Sequence, residues 1–210
     1  MAVKKVKPAN DTSTEEKIKN AARVVFFKKG FAATRTRDIA EEAGINLALL
    51  NYYFRSKEKL FDIIMLETIM NFFKSISVVF NMEDTTLENK IETIANGYID
   101  LLKANPDIPL FLLSELKMQP DEFVAKMGVK EIVMKSVFLK QFQQGIKEGK
   151  ITPIHPLHFI MNLLGMTVFP FVASPIIKGI GDLSTKQFND LMDERKRLIP
   201  KWIKAMLKAK

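Results

Sequence analysis

The residues whose types and spacing could do chemistry cluster between Thr36 and Phe54, and the chemistry they suit is recognition rather than bond-making. A short segment opens at Thr36 and closes at Gly44; after Ile45 and Asn46 a second short segment runs from Leu47 to Phe54. Two short helices joined by a three- to four-residue turn containing Gly make a helix-turn-helix. Each residue type has a reason. Ala40 is small enough for the second helix to cross close to the first, and Gly44 can take the positive φ of the corner. Ile39, Ile45, Leu50 and Phe54 can join one apolar core with the helix before them. That core leaves the N-terminal face of 46–53 turned outward, where a helix can enter a DNA major groove about 12 Å wide. The same spacing also serves plain helix packing, so the surrounding elements must decide.

Candidates for bond-making are sparse. His155 and His158 stand three apart, but Pro156 separates them and no third ligand is indicated, so no metal is expected. The chain contains neither a Walker loop nor G-x-S-x-G. Glu41-Glu42 and Asp193-Glu194 read as solvated helix faces. With no Cys there is no disulfide framework, thiolate zinc site or cysteine nucleophile, which fits a reducing, cytoplasmic setting. The N-terminal charges are not followed by an apolar stretch, so no secretory signal is expected. The expectation is a protein that is not an enzyme and needs no cofactor.

The elements that position 36–54 follow from periodicity. Ile18, Ala21, Ala22, Val25 and Phe26 form one apolar face of a helix over 14–29, capped by Ser13 or Thr14 and ended by Gly30. Lys17, Lys19, Arg23 and Lys28 fall off that face. Thr36 is expected to cap the next helix, with Asp38 in its first turn, and Ser56 to cap a fourth helix by itself. Beyond Leu60 the pattern stays helical, with breaks that leave helices near 60–80, 87–104, 108–117, 121–148, 157–177 and 185–208. The fold class is therefore all-α, about nine helices. Its domains are a basic tail (1–13), a three-helix helix-turn-helix domain (14–56) and a larger helical bundle (57–210).

Charge supports the division. Of a net +8, the first 60 residues supply +6, with 13 Lys and Arg against 7 Asp and Glu. Ten of the 11 Met and 12 of the 16 Phe lie beyond residue 60. A compact basic module thus precedes a larger apolar one rich in adaptable side chains. The tail, with Lys4, Lys5 and Lys7, is either a disordered end or an arm along a phosphate backbone. The run 157–177 carries no formal charge and meets the length rule for a membrane span. It also contains Pro170 and Pro175, and a helix apolar on all sides can instead be buried between a core and a partner subunit; no membrane is expected.

At this point the motif becomes recognisable. Gly30-Phe31, then Thr34-x-Thr36-Arg37-Asp38-Ile39-Ala40-x-x-Ala43-Gly44-Ile45, then Asn51-Tyr52-Tyr53-Phe54-x-Ser56-Lys57-x-x-Leu60 closely resembles the DNA-binding domain of the tetracycline-repressor (TetR) family over about 14–65. Beyond residue 65 only the all-helical pattern and the length agree. The resemblance implies that Thr36 and Arg37 meet phosphate and the groove edge, and that Tyr52 and Lys57 meet phosphate. Tyr53 either shares that duty or packs beside Phe54. The base-reading positions fall on Leu47, Leu49 and Asn51, with Ala48 at a usual small-residue site and Asn46 also counted among the DNA-binding residues. Here the chain departs from the common pattern, with Leu47 and Leu49 where polar side chains are usual. Leucines can meet thymine methyls and Asn51 can bond an adenine, which predicts an A·T bias. Alternatively the leucines fold back, leaving sequence choice to Arg37, Asn46 and DNA shape.

The resemblance further implies that the C-terminal domain dimerises and binds a small effector. Phe188, Leu191, Met192, Leu198, Ile199, Trp202, Ile203 and Met206 form a wide stripe, interrupted by Arg195 and with a kink expected at Pro200. Paired with 157–177 in two subunits, it suits a four-helix seam. Phe72, Phe73, Phe111, Met118, Met134 and Phe138 could line a cavity for an apolar ligand or serve as ordinary core. The expected function is a ligand-responsive homodimeric repressor that binds a double-stranded DNA operator. The alternative is a helical ligand-binding or protein-interaction protein without specific DNA readout.

Overall fold

The structure is a computed structural model, and it describes residues 9–208. Among the described residues the chain is all helix, with thirteen helical segments and no strand. The packing forms two compact units, the first ending at Ile69 and the second beginning at Met70. Lys4, Lys5 and Lys7 of the expected basic tail lie outside the described residues.

In the first unit α1 (Ala9–Ala33) starts four residues before the expected cap region, so residues 9–13 are helical rather than tail. Gly30 breaks α1 as expected: at φ 72° and ψ 166° it holds a backbone conformation that L side chains rarely adopt, and a helical turn resumes after it. Next come α2 (Thr36–Glu42), α3 (Leu47–Phe54) and α4 (Lys57–Asn81), the last passing out of the first unit after Ile69. Ile18, Ala22, Val25 and Phe26 of α1 are buried with Ile39 and Ala40 of α2, Leu50 and Phe54 of α3, and Leu60, Phe61 and Ile64 of α4. Phe61 meets Phe26 edge-on at 5.1 Å and Phe31 at 4.6 Å. The boundary expected at residue 56 therefore falls at 69, because the opening turns of α4 supply part of this core.

The second unit contains α5 (Leu87–Ala104), α6 (Ile108–Met118), α7 (Pro120–Met127), α8 (Val129–Met134), α9 (Val137–Lys147), α10 (Pro156–Thr167), α11 (Phe169–Val172), α12 (Ser174–Gly181) and α13 (Thr185–Lys208). Helices α5 and α13 make its most extensive packing. Their outer edges are joined by Lys103 with Asp193 (2.5 Å) and Lys196 with Asp100.

Two expected helices are subdivided. The 121–148 stretch breaks at Gly128, left-handed at φ 59°, and again at Ser136, which caps α9 by accepting from the Leu139 amide at 3.1 Å. The uncharged 157–177 stretch becomes α10, α11 and the start of α12, with Pro170 and Pro175 each in the first turn of a new helix. The path bends by 69° between Pro156–Val172 and Ser174–Gly181. By length and composition α4 could also cross a bilayer, but its early apolar residues are core of the first unit.

The expected α13 stripe divides in two. Phe188, Met192, Ile199 and Ile203 are buried, whereas Leu191 and Trp202 remain exposed; the helix continues through Pro200. Arg195 bridges rather than interrupts. Its guanidinium donates to the Met166 carbonyl at 2.7 Å, in the last turn of α10, and lies over the Trp202 ring at 5.1 Å. Of the expected cavity residues, Phe111 and Phe138 are buried and Phe72 and Phe73 half-buried. Met118 and Met134 are instead 72% and 61% exposed, so they do not line an interior cavity. They end the short helices α6 and α8, where the chain turns at the surface.

Candidate nucleic-acid interface

The interface is built on α3. Leu50 and Phe54, four apart, are buried and anchor the helix. The opposite side is left to solvent: Ala48 and Asn51 are exposed, Tyr52 is 74% exposed, and Leu47 and Leu49 are partly exposed. A helix held by one apolar edge with a free opposite edge is what insertion into a groove requires. Asn46 caps α3, its side-chain oxygen accepting from the Leu49 amide at 2.8 Å. That leaves its amide NH2 group as the part able to meet a base. Tyr53 is half-buried, its ring edge-on to Tyr52 at 5.4 Å and 6.3 Å from Phe54.

Helix α2 differs from expectation at its first turn. Arg35, not Thr36, is the cap residue, and the Arg35 amide donates to the Asp38 carboxylate at 3.0 Å. That hydrogen bond and Lys29, 3.1 Å away, hold the Asp38 carboxyl below its ordinary pKa. The anion-attracting end of α2 is thus already served by its own carboxylate. Thr36 and Arg37 then bring side chains to the surface, Thr36 partly exposed and Arg37 exposed.

Lys57 is placed unlike a simple surface cation. Its ammonium donates to the carbonyls of Phe31 and Thr34, both at 3.0 Å, and sits 4.2 Å above the Phe31 ring. Two of its three protons are committed to closing the end of α1 onto the start of α4, which leaves one for a phosphate. Ser56 caps α4 through the Lys59 amide at 3.1 Å, as its spacing predicts. Arg55, between α3 and α4, is exposed and has a left-handed φ of 59°.

One charged cluster between α1 and α4 was missed by periodicity. Lys19 is buried and bonds Glu67 of α4 at 2.8 Å as well as Glu16; Arg23 also bonds Glu67. Burial opposes the Lys19 charge, but the bonds to Glu16 and Glu67 outweigh it and raise the pKa. The signal in the sequence was Glu16-x-x-Lys19-x-x-x-Arg23, a charged edge along one side of α1.

With this geometry in hand, residues 18–64 match the family described as "Bacterial regulatory proteins, tetR family". Over 199 residues the chain is 28% identical to "HTH-type transcriptional regulator RutR" of Escherichia coli (strain K12), covering 90% of this chain and 89% of that protein. It is 22% identical over 169 residues to "Probable HTH-type transcriptional regulator YttP" of Bacillus subtilis (strain 168), covering 80% and 82%. A solved TetR transcription regulator from Haloarcula marismortui ATCC 43049 shares the fold with a TM-score of 0.64 at 21% identity, over 93% of this chain and 99% of that one. A regulatory protein in the tetR family from Rhodococcus RHA1 does so at 0.59 and 18% identity, over 94% and 98%.

Proposed function

We propose, from the premise that the chain is a DNA-binding transcriptional regulator of the TetR family, that it acts as a homodimeric, effector-released repressor in the cytoplasm and catalyses no reaction. The observation that carries the DNA-reading part is the free edge of α3. Ala48, Asn51 and Tyr52 are exposed opposite buried Leu50 and Phe54, with exposed Arg37 in the same unit. In this reading Arg37, Thr36, Tyr52 and the remaining proton of Lys57 meet phosphates. Asn46 and Asn51 meet base edges, Leu47 and Leu49 meet thymine methyls, and Tyr53 supports Tyr52.

Dimerisation has its own support. On α10, Leu157, Met161 and Leu164 are exposed at spacings of four and three, one stripe on one face, and Trp202 and Leu191 of the adjoining α13 are exposed as well. Two such faces make an isologous contact. A dimer carries two α3 helices, and paired half-sites about one DNA turn apart give the selectivity one helix lacks. An effector bound to the second unit that prefers one spacing of the two α3 helices weakens operator binding by its difference in affinity for the two states.

A gel-shift titration with the DNA flanking the chain's own gene tests this reading. Retarded duplex that survives unlabelled random competitor is expected. Equal loss to random competitor would favour the helical interaction protein without specific readout.

A further inference from the structure

The second unit holds a buried cation that the DNA-reading account does not use. Lys90 of α5 has no exposed surface, and its ammonium donates to the side-chain oxygen of Gln141 on α9 at 2.8 Å. Gln141 is held from its other end, its amide donating to the Thr85 carbonyl at 3.0 Å in the connection before α5. Among the described residues no carboxylate pairs with Lys90. Burial pulls its pKa down, and exposed Glu83 acts only through its field in the opposite sense. A buried ammonium satisfied only by a neutral amide is under-compensated, and the natural remedy is an anion.

Gln141 is also part of the wall of an open groove of about 610 Å³. Leu87, Gly145 and Ile151 give that groove apolar surface, and Lys140 and Lys150 stand at it alongside Glu88 and Glu148. The volume suits a small organic molecule. Gln141 therefore both lines a ligand-sized groove and holds a buried ammonium.

We propose that this groove takes an apolar monocarboxylate, whose carboxylate displaces the Gln141 oxygen and pairs with the Lys90 ammonium while its hydrocarbon body lies against Leu87, Gly145 and Ile151. The inference rests on the reading of the second unit as the effector-binding part and names the chemical class of the effector. Displacing Gln141 also releases the Thr85 carbonyl, so binding alters how the connection from α4 to α5 is held to α9.

The test is calorimetric titration of the full chain with straight-chain carboxylates of eight to twelve carbons and with the alcohols of equal length. The wild type is expected to bind at least one carboxylate ten-fold or more tighter than its alcohol. Lys90→Met should abolish that preference while its melting temperature is not lowered, and Gln141→Ala should tighten the carboxylate several-fold, which a merely structural glutamine would not do. Equal affinity for acid and alcohol, binding of neither, or an undiminished preference in Lys90→Met would overturn the proposal. Retardation of operator DNA, measured on the same samples without additive, reports separately on the regulator reading.

Discussion

At the residue scale, the side chains sort by what they are already doing in the fold. Asn51 is exposed, so Asn51→Ala should leave stability within about 0.5 kcal/mol and relax preference at one base pair, read by comparing binding to single-base operator variants. Lys57 is different: Lys57→Met removes a charged donor from two backbone carbonyls and should cost about 1.5–3 kcal/mol in urea unfolding, besides any loss of phosphate contact. Unaltered stability would show those bonds to be incidental. Lys90 predicts a pH effect of definite sign. Its folded-state pKa lies below the ordinary lysine value, so between the two values the unfolded chain holds more protons and stability rises with pH. The contribution is most unfavourable below the folded pKa and vanishes above the ordinary value of about 10.4. The stability difference between Lys90→Met and wild type should accordingly shrink as pH rises through the folded-state pKa to the ordinary lysine value; a constant difference across that range would contradict the burial of a charge. The outward side of α3, with Ala48, Asn51 and Tyr52 exposed opposite buried Leu50 and Phe54, was legible because residue type and local spacing carry it. The Lys57 bonds were not, since their partners lie 23 and 26 residues away and no local pattern encodes them.

At the element scale, the first unit is a core closed at one edge by ions. Lys19 and Arg23 on α1 converge on Glu67 of α4, which ties α4 to α1. Glu67→Gln should cost about 1 kcal/mol, the upper end for partly exposed pairs, because Lys19 is buried while Glu67 is a third exposed. Gly30→Ala should cost about 1–3 kcal/mol by conformation alone, since nothing lies within 4 Å of where the methyl would sit. Both changes are read by thermal or urea unfolding, and no loss at Gly30 would deny the φ 72° break in α1. The apolar faces of α1, α2 and α3 were legible, because a 3.6-residue period survives in side-chain type. Subdivision of 157–177 was not: the prolines were visible, but whether Pro bends one helix or begins another depends on the packing that receives it. The α13 stripe was likewise too wide to show from sequence that Phe188 and Ile203 face inward while Trp202 does not.

For the whole molecule, charge and apolar surface are divided between two units. The basic excess belongs to the first 60 residues, and the Met and Phe to the part that follows. A dimer through α10 and α13 predicts that Met161→Glu, placing a charge in the middle of the exposed stripe, yields a folded monomer in sedimentation and at least a hundred-fold weaker operator binding. A dimeric variant with full affinity would put the seam elsewhere. The central claim, that the free edge of α3 reads DNA as one of a pair, is tested most directly by selecting bound duplexes from a random pool with the intact chain. The account predicts a twofold-symmetric consensus with A·T-rich half-sites about one helical turn apart. Recovery of no consensus, or of an unpaired site bound equally well by Met161→Glu, would contradict it.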